Sequence, residues 1–411
     1  MMRSMFSAIS GLKNHQTFMD VVGNNIANVN TTGFKQSRVT FQDILSQTVR
    51  GASGPQAGRG GVNPEQVGLG VMISGIDTVQ TQGTLQSTGK LTDMAIQGDG
   101  YFVMSDGKQN FFTRDGAFDL GIDGTLVNPS SGLHVMGWQA NPLTGKIDTT
   151  VPATNITIPI GAGMTGKAST SLTANGNLDA NNAGGALNAV NLSSTVYDSQ
   201  GNAIPLTLTF TKSAANTWSV APSTTDPGVT VTGTSTIVFN GSGKVATGGT
   251  GTLSLTLTNG STSPQSVTLD MSQITQLAST PSSLSSSTDG ASAGSLTTFT
   301  VGQAGDITGV YSNGYKQPLG QIALASFSNP SGLSKAGGNL FAASANSGTP
   351  NIGTPDAGGR GQIATGFLEG SNVDLAQQFT NMIMAERGFQ ANSRVITTSD
   401  EILQDLVNLK H

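Results

Sequence analysis

Two seven-residue apolar repeats, one at each end of the chain, constrain the fold more than any other feature. Near the N-terminus Met5, Leu12, Met19 and Ile26 recur at heptad spacing, with Ile9 at an intermediate position. Near the C-terminus Leu375, Met382, Phe389, Ile396 and Leu403 do the same, with Phe379 beside them. Such a repeat lays an apolar seam along a helix and requires another helix to cover it. The rows next to the seams are polar: Gln16 and Gly23 at one end, Glu386, Ser393 and Asp400 at the other. A pair made of these two helices alone would have a poor core on those rows. The pattern therefore favours packing among many subunits over a closed intramolecular pair.

Between the ends the chain reads as strands and turns. Glycine accounts for 55 of 411 residues, about twice the usual share, and only 10% of residues are charged. That composition suits a Ser/Thr/Gly-rich β architecture working outside the cytoplasm, and the length suits two to four domains. A net charge of -5 with no Lys/Arg cluster argues against nucleic-acid binding. With no cysteine, disulfides, thiolate metal sites and cysteine nucleophiles are excluded. His15, His134 and His411 are widely spaced and no HExxH occurs, so neither a metal nor a cofactor is expected. Ser4, Ser7 and Ser10 interrupt any apolar core in the first residues, which argues against a cleavable secretory signal. No run approaches the roughly 20 apolar residues of a membrane span, so membrane insertion is not expected.

Along the chain, Ser4 is the expected N-cap of a helix running to about Asn28, ended by an asparagine-rich stretch and Gly33. Gly51 to Gly70 reads as a flexible connector. Short strands then follow, punctuated by Asp99-Gly100, Asp106-Gly107, Asp115-Gly116 and Asp123-Gly124, each read as a hairpin turn rather than a calcium site. Residues 161–295 are nearly uncharged and carry alternating segments such as Leu206–Phe210 and Leu253–Leu257, which predict half-buried strands. The earlier hairpin style returns from Leu296, and Gly337 to Gly366 reads as a second connector. Ser371-x-x-Asp374 signals the start of the last helix, and Thr398-x-x-Glu401 allows a kink near Thr397. The expected fold class is mainly β with terminal α-helices that form a coiled-coil core. Residues 1–30 plus 370–411 form the helical domain, 31–70 plus 340–369 the connectors, 71–160 plus 295–339 a β domain, and 161–294 a β domain inserted into it.

Catalytic motifs fail on context. Gly161 to Lys167 fits GxxxxGK, but Ala168 follows where a P-loop needs Ser or Thr, and no helical pattern comes next. No GxSxG occurs, and Trp138 and Trp218 read as packing residues rather than sugar platforms. An enzyme is not expected.

Asn25-Ile-Ala-Asn-Val-Asn-Thr-Thr-Gly-Phe-Lys35, preceded by Ser10-Gly-Leu12, resembles the N-terminal signature of the bacterial flagellar rod and hook proteins. Gly370-Ser-Asn-Val-Asp-Leu375 and Ala385-Glu-Arg-Gly-Phe-Gln-Ala-Asn-Ser-Arg394 resemble their C-terminal signature. The residues carrying the match are Asn25, Asn28, Asn30, Gly33, Phe34 and Lys35 at one end, and Asn372, Asp374, Arg387 and Asn392 at the other. Gly100–Val103 and Thr113–Gly116 are also shared by several members. The central insertion, Gly309–Gly314, Leu319–Leu324 and the ending through Lys410 are similar to the hook members. The distal rod is the alternative, and a secreted β-rich adhesin or hydrolase is a distant third.

The resemblance implies a homopolymer, a curved hollow tube outside the cell whose inner wall is built from the terminal helices. It implies rod and hook–filament junction proteins at the tube's ends, a hook cap, and export by the flagellar type III machinery.

Overall fold

The computed structural model describes residues 2–55, 58–142, 144–164, 166–278 and 281–408. Thr165 of the GxxxxGK stretch and the Leu409-Lys410-His411 end lie outside the described residues. Two long helices frame a chain that is otherwise mainly β-structure: α1 (Met2–Ala27) and α2 (Leu375–Asn408). The chain divides into two compact units, one of residues 1–158, 300–308 and 318–411, the other of residues 159–299 and 309–317.

Local chemistry sets the helix ends. α1 already includes Ser4, so that residue does not cap it. At the other end Asn28 Nδ2 donates to Asn24 O at 2.9 Å, adding a side-chain bond to a terminal carbonyl that already accepts from the Asn28 amide at 3.2 Å. Gly33 then turns the chain at φ 66, where a Cβ would stand 2.6 Å from the Asp115 amide nitrogen. α2 is capped by Asp374 rather than Ser371: its Oδ1 accepts from the Ala376 and Gln377 amides at 2.9 and 3.2 Å. Helical bonding continues unbroken past Thr397, whose hydroxyl donates to Arg394 O.

Neither expected connector is a loose tether. Ser37–Asp43 pairs antiparallel with Val71–Thr78, Ser46–Arg50 pairs with Glu65–Gly68, and Ser53 bridges to Val62, so residues 37–53 and 62–78 form the two arms of one long β-ribbon. Its base lies on α1, where Asn14 Nδ2 donates to Val71 O at 2.6 Å and Phe18 meets Phe41 edge-on. β-branched and aromatic residues flank the glycines on both strands and win over the Gly-rich composition. In the second stretch, Leu340–Ala342, Asn351–Gly353, Gln362–Thr365 and Phe367–Glu369 each pair with a strand of the first unit. Glycines at positive φ, such as Gly348 and Gly366, serve as the turns between these pieces.

In the first unit the main sheet runs 318–322, His134–Gln139, Tyr101–Ser105, Asn110–Thr113, Leu340–Ala342, Ser334–Gly337. Its core gathers Tyr101, Val103, Phe112, Trp138, Phe327 and Phe341, with Phe112 edge-on to Phe327 at 4.8 Å. Of the four Asp-Gly pairs, Asp106-Gly107 and Asp123-Gly124 close hairpins between paired strands. Asp99-Gly100 links strands that do not pair with each other. Asp115-Gly116 is a backbone crossing, since a Cβ on Gly116 would collide with Met94 O.

The second unit packs two five-stranded sheets over one apolar core that includes Trp218, Phe210, Leu255 and Leu269. Hydroxyls of Ser286 and Thr288 donate to Ser193 O and Thr195 O and bridge the sheet edges. Asp198 anchors its turns by accepting from the Gln200 and Asn202 amides and from Asn259 Nδ2. Beyond Lys167 comes the strand Ser171–Asp179, so a strand and not a helix follows the GxxxxGK stretch.

The terminal helix pair and its buried junction

α1 and α2 pack against each other, but not on the rows the heptads suggested. α1 buries Ala8, Gly11, Val22 and Asn25, and α2 buries Gln378, Ala385 and Ser399. The helices run antiparallel: Gly11 faces Asn392, His15 faces Gly388, and Asn25 Nδ2 donates to Gln378 Oε1 at 3.2 Å. A Cβ on Gly11 would stand 2.7 Å from Asn392 Nδ2, and one on Gly388 would stand 2.6 Å from the His15 ring. The contact therefore depends on side chains being absent, not on large apolar groups interlocking.

This choice of face leaves the predicted seam uncovered. Ile9, Leu375, Phe379 and Phe389 are exposed, Phe379 to 51%, while Met5, Leu12, Met19, Ile26, Met382, Ile396 and Leu403 are half-buried. Further large apolar residues join them, including Phe6 at 64% and Ile383 at 57%. The two helices pack together as the fold class expected, and the seam rows, which the sequence assigns to packing among subunits, are half-buried or exposed in the single chain. Small residues one face round allow a closer approach, and the large side chains are turned away.

Beneath the helix pair, a buried polar junction ties the two chain ends together. Asn25 donates to Ser37 O and accepts from the Ser37 amide, which pins the helix to the ribbon. Asn372 accepts from the Gln36 amide and donates to Val79 O and Thr81 O. At the centre Lys35 Nζ lies 2.6 Å from Glu369 Oε1 and also donates to Thr81 O. Glu369 is fully buried; it accepts from the Gly83 amide and, through Oε2, from Arg114 Nη1 at 3.3 Å. Gly33 donates its amide to Glu369 O. Burial pushes the Lys35 ammonium below its ordinary 10.5; Glu369 opposes the shift and Arg114 adds to it.

Several signature residues act at the edge of this junction. Asn28 accepts from Thr31 Oγ, Asp374 caps α2, and Asn392 Nδ2 donates to Gly388 O beside Gly11. Lys335 Nζ stands 5.3 Å over the Phe34 ring. Asn30 and Arg387 are exposed and lie outside the junction.

Sequence reasoning missed Glu369, Gln378, Gly11 and Gly388. One signal was available: a lysine in a signature loop needs a counter-charge, and Glu369 is the only carboxylate between Asp356 and Asp374. Among the described residues no group of three His, Asp or Glu is placed to hold a metal, and no helix is long and apolar enough to cross a membrane. The arrangement fastens chain ends and presents an apolar helix face.

Profiles of four flagellar protein families match the chain in order. They are Flagella basal body rod protein over residues 5–35, Flagellar hook protein FlgE/F/G D1 domain over 95–180, Flagellar basal body protein FlaE D2 domain over 168–291, and Flagellar basal body rod FlgEFG protein C-terminal over 364–409. The flagellar basal-body rod protein FlgG of Bacillus subtilis is 34% identical across 100% of both chains. The crystal structure of Helicobacter pylori flagellar hook protein FlgE2 is similar in fold, with a TM-score of 0.54 at 17% identity, covering 69% of this chain and 100% of that one. The flagellar hook protein FlgE of Borreliella burgdorferi is 42% identical across 100% of both chains. On that full-length identity, the chain belongs to the FlgE family of flagellar hook proteins.

Proposed function

We propose that this chain self-assembles into the curved, hollow hook filament and passes motor torque to the propeller as a universal joint. The observation that carries the proposal is the apolar face left open after α1 and α2 have paired, from Phe6 and Ile9 on one helix to Phe379, Ile383 and Phe389 on the other. Fully burying a side chain of this kind contributes about 1.5–3 kcal/mol, so a ring of neighbouring copies has a strong reason to cover it. In that filament residues 1–30 and 370–411 line the inner tube, with 31–70 and 340–369 connecting outward. Residues 71–160 and 295–339 form the middle layer, and 161–294 the outer surface.

Continuous helix contacts carry torsion. Sparsely charged outer faces change their spacing through each turn with few ion pairs to break. The subunit reaches its place outside the cell through the flagellar type III apparatus. There it meets rod and junction proteins at the two ends of the tube and a cap during growth.

Electron microscopy of filaments grown from the purified full chain tests this. Curved tubes with the terminal helices around a central channel are expected. Straight tubes would indicate a rod-like drive shaft, and failure to form tubes under any condition that keeps the chain folded would refute assembly.

A further inference from the structure

We propose that a pocket beside Arg114 binds an oxyanion, either a carboxylate or a phosphate. The pocket holds about 420 Å3 and is lined by Arg114, Tyr101, Gln80, Ser326, Gly358 and Gly359, with Asp99 on its wall. Arg114 is only 3% exposed. A guanidinium has five donor hydrogens and is rarely left with most of them unused when buried. Here Nη1 makes a 3.3 Å bond to Glu369 Oε2, and Nε is buried without a partner among the described residues. Glu369 is already engaged at 2.6 Å by Lys35, so two buried cations share one carboxylate. That leaves a positive charge in a place where isolated charge is costly.

The rest of the wall suits a planar or tetrahedral anion. The Tyr101 ring covers the guanidinium at 5.3 Å, and its hydroxyl donates to Gln80 Oε1 at 2.7 Å. Gly358 and Gly359 sit at φ 61 and 78 and contribute no side chain, their amides have no backbone acceptor among the described residues, and the Arg360 guanidinium, whose Nε donates to Thr354 O, lies against Gly358. Asp99 on the wall opposes an anion, but it is exposed, whereas Arg114 is buried.

The test titrates inorganic phosphate into the full chain at constant ionic strength, with chloride as the reference, and reads 31P line broadening and thermal midpoint. Saturable broadening is expected, with a midpoint that rises with the logarithm of phosphate once the site fills. Arg114→Gln should weaken binding at least tenfold. Ser326→Leu, which adds bulk to the pocket wall and keeps the Arg114 side chain, should do the same and keeps the test valid should Arg114→Gln fail to fold. No broadening with the parent chain, or binding in both variants as tight as the parent's, overturns the site. Where phosphate binds, its effect on polymerisation identifies the resident ligand, a step that rests on the filament reading. Inhibition relative to chloride points to an acidic side chain from a second copy, and unchanged growth points to a free anion.

Discussion

Gly388→Ala sets two physical effects against each other, and their balance reports whether the helix pair packs as described. Within an isolated helix, alanine in place of glycine is favourable by about 1 kcal/mol. In the pair, the new methyl would stand 2.6 Å from His15 Cε1 and Nε2, against ordinary contacts of 3.4–4 Å. Relief needs a shift of roughly 1 Å, and overpacking of this kind typically costs about 1–3 kcal/mol. The imidazole also has Phe41 beside it at 6.0 Å between ring centres, so a shift of the ring disturbs that contact too. The net expectation is a loss of up to about 2 kcal/mol in docking, a fall in the docked population of up to about 30-fold. Amide hydrogen exchange along α2 reads this directly, and filament yield should fall with it. His15→Ala removes the obstacle, so the double variant should recover protection, with a coupling energy of about 0.5–3 kcal/mol. If Gly388→Ala alone protected α2 better than the parent chain, helix propensity would be the whole effect and the close approach would be wrong.

Other outcomes follow from the junction, the open face and the second unit. Glu369→Gln strands two buried cations and should cost about 3–5 kcal/mol in urea unfolding; Lys35→Met, which leaves Arg114 and Glu369 matched, should cost less. Phe389→Asp should leave the monomer's β-structure intact by circular dichroism and block filament growth, since that side chain is already partly exposed in the single chain. Burial pushes the Asp198 carboxyl up, but bonds from Asn202, Asn259 and Gln200 outweigh it and hold the group below its ordinary 3.8. Its folded pKa being the lower one, the stabilisation is complete above pH 4–5 and lost as pH falls through the folded value. Trp218 fluorescence melts from pH 5 to 2 should show that loss in the parent chain and a smaller one in Asp198→Asn, where Asp270 and Asp289 of the same unit are still held below 3.8. Limited proteolysis of the monomer should spare residues 340–369, which are threaded into sheets, and cut first in the ribbon tip around 51–64; early cuts within 340–369 would contradict those pairings.

The ends and the β-rich middle were readable because both are written in large apolar residues at a fixed period. What escaped is written in small or polar ones. A heptad of Leu, Met, Phe and Ile identifies a face that must be covered without saying what covers it. The face α1 and α2 use for each other, through Gly11, Ala385, Gly388 and Ser399, carries almost no hydrophobic signal. Glycine was similarly ambiguous. In the stretches expected to be flexible, Gly348 and Gly366 make turns between paired strands, and Gly361 lets backbone pass so close that a Cβ would lie 2.2 Å from Gln97 O. Composition cannot separate a glycine that loosens a chain from one that lets two segments touch. The same distinction bears on function. Had the two helices closed on their large residues, the chain would have had a finished helical domain and little reason to associate through it. Closed on their small residues, they form a rigid pair while Phe379, Ile383 and Phe389 stay open, so covering them takes a surface that this chain does not itself supply.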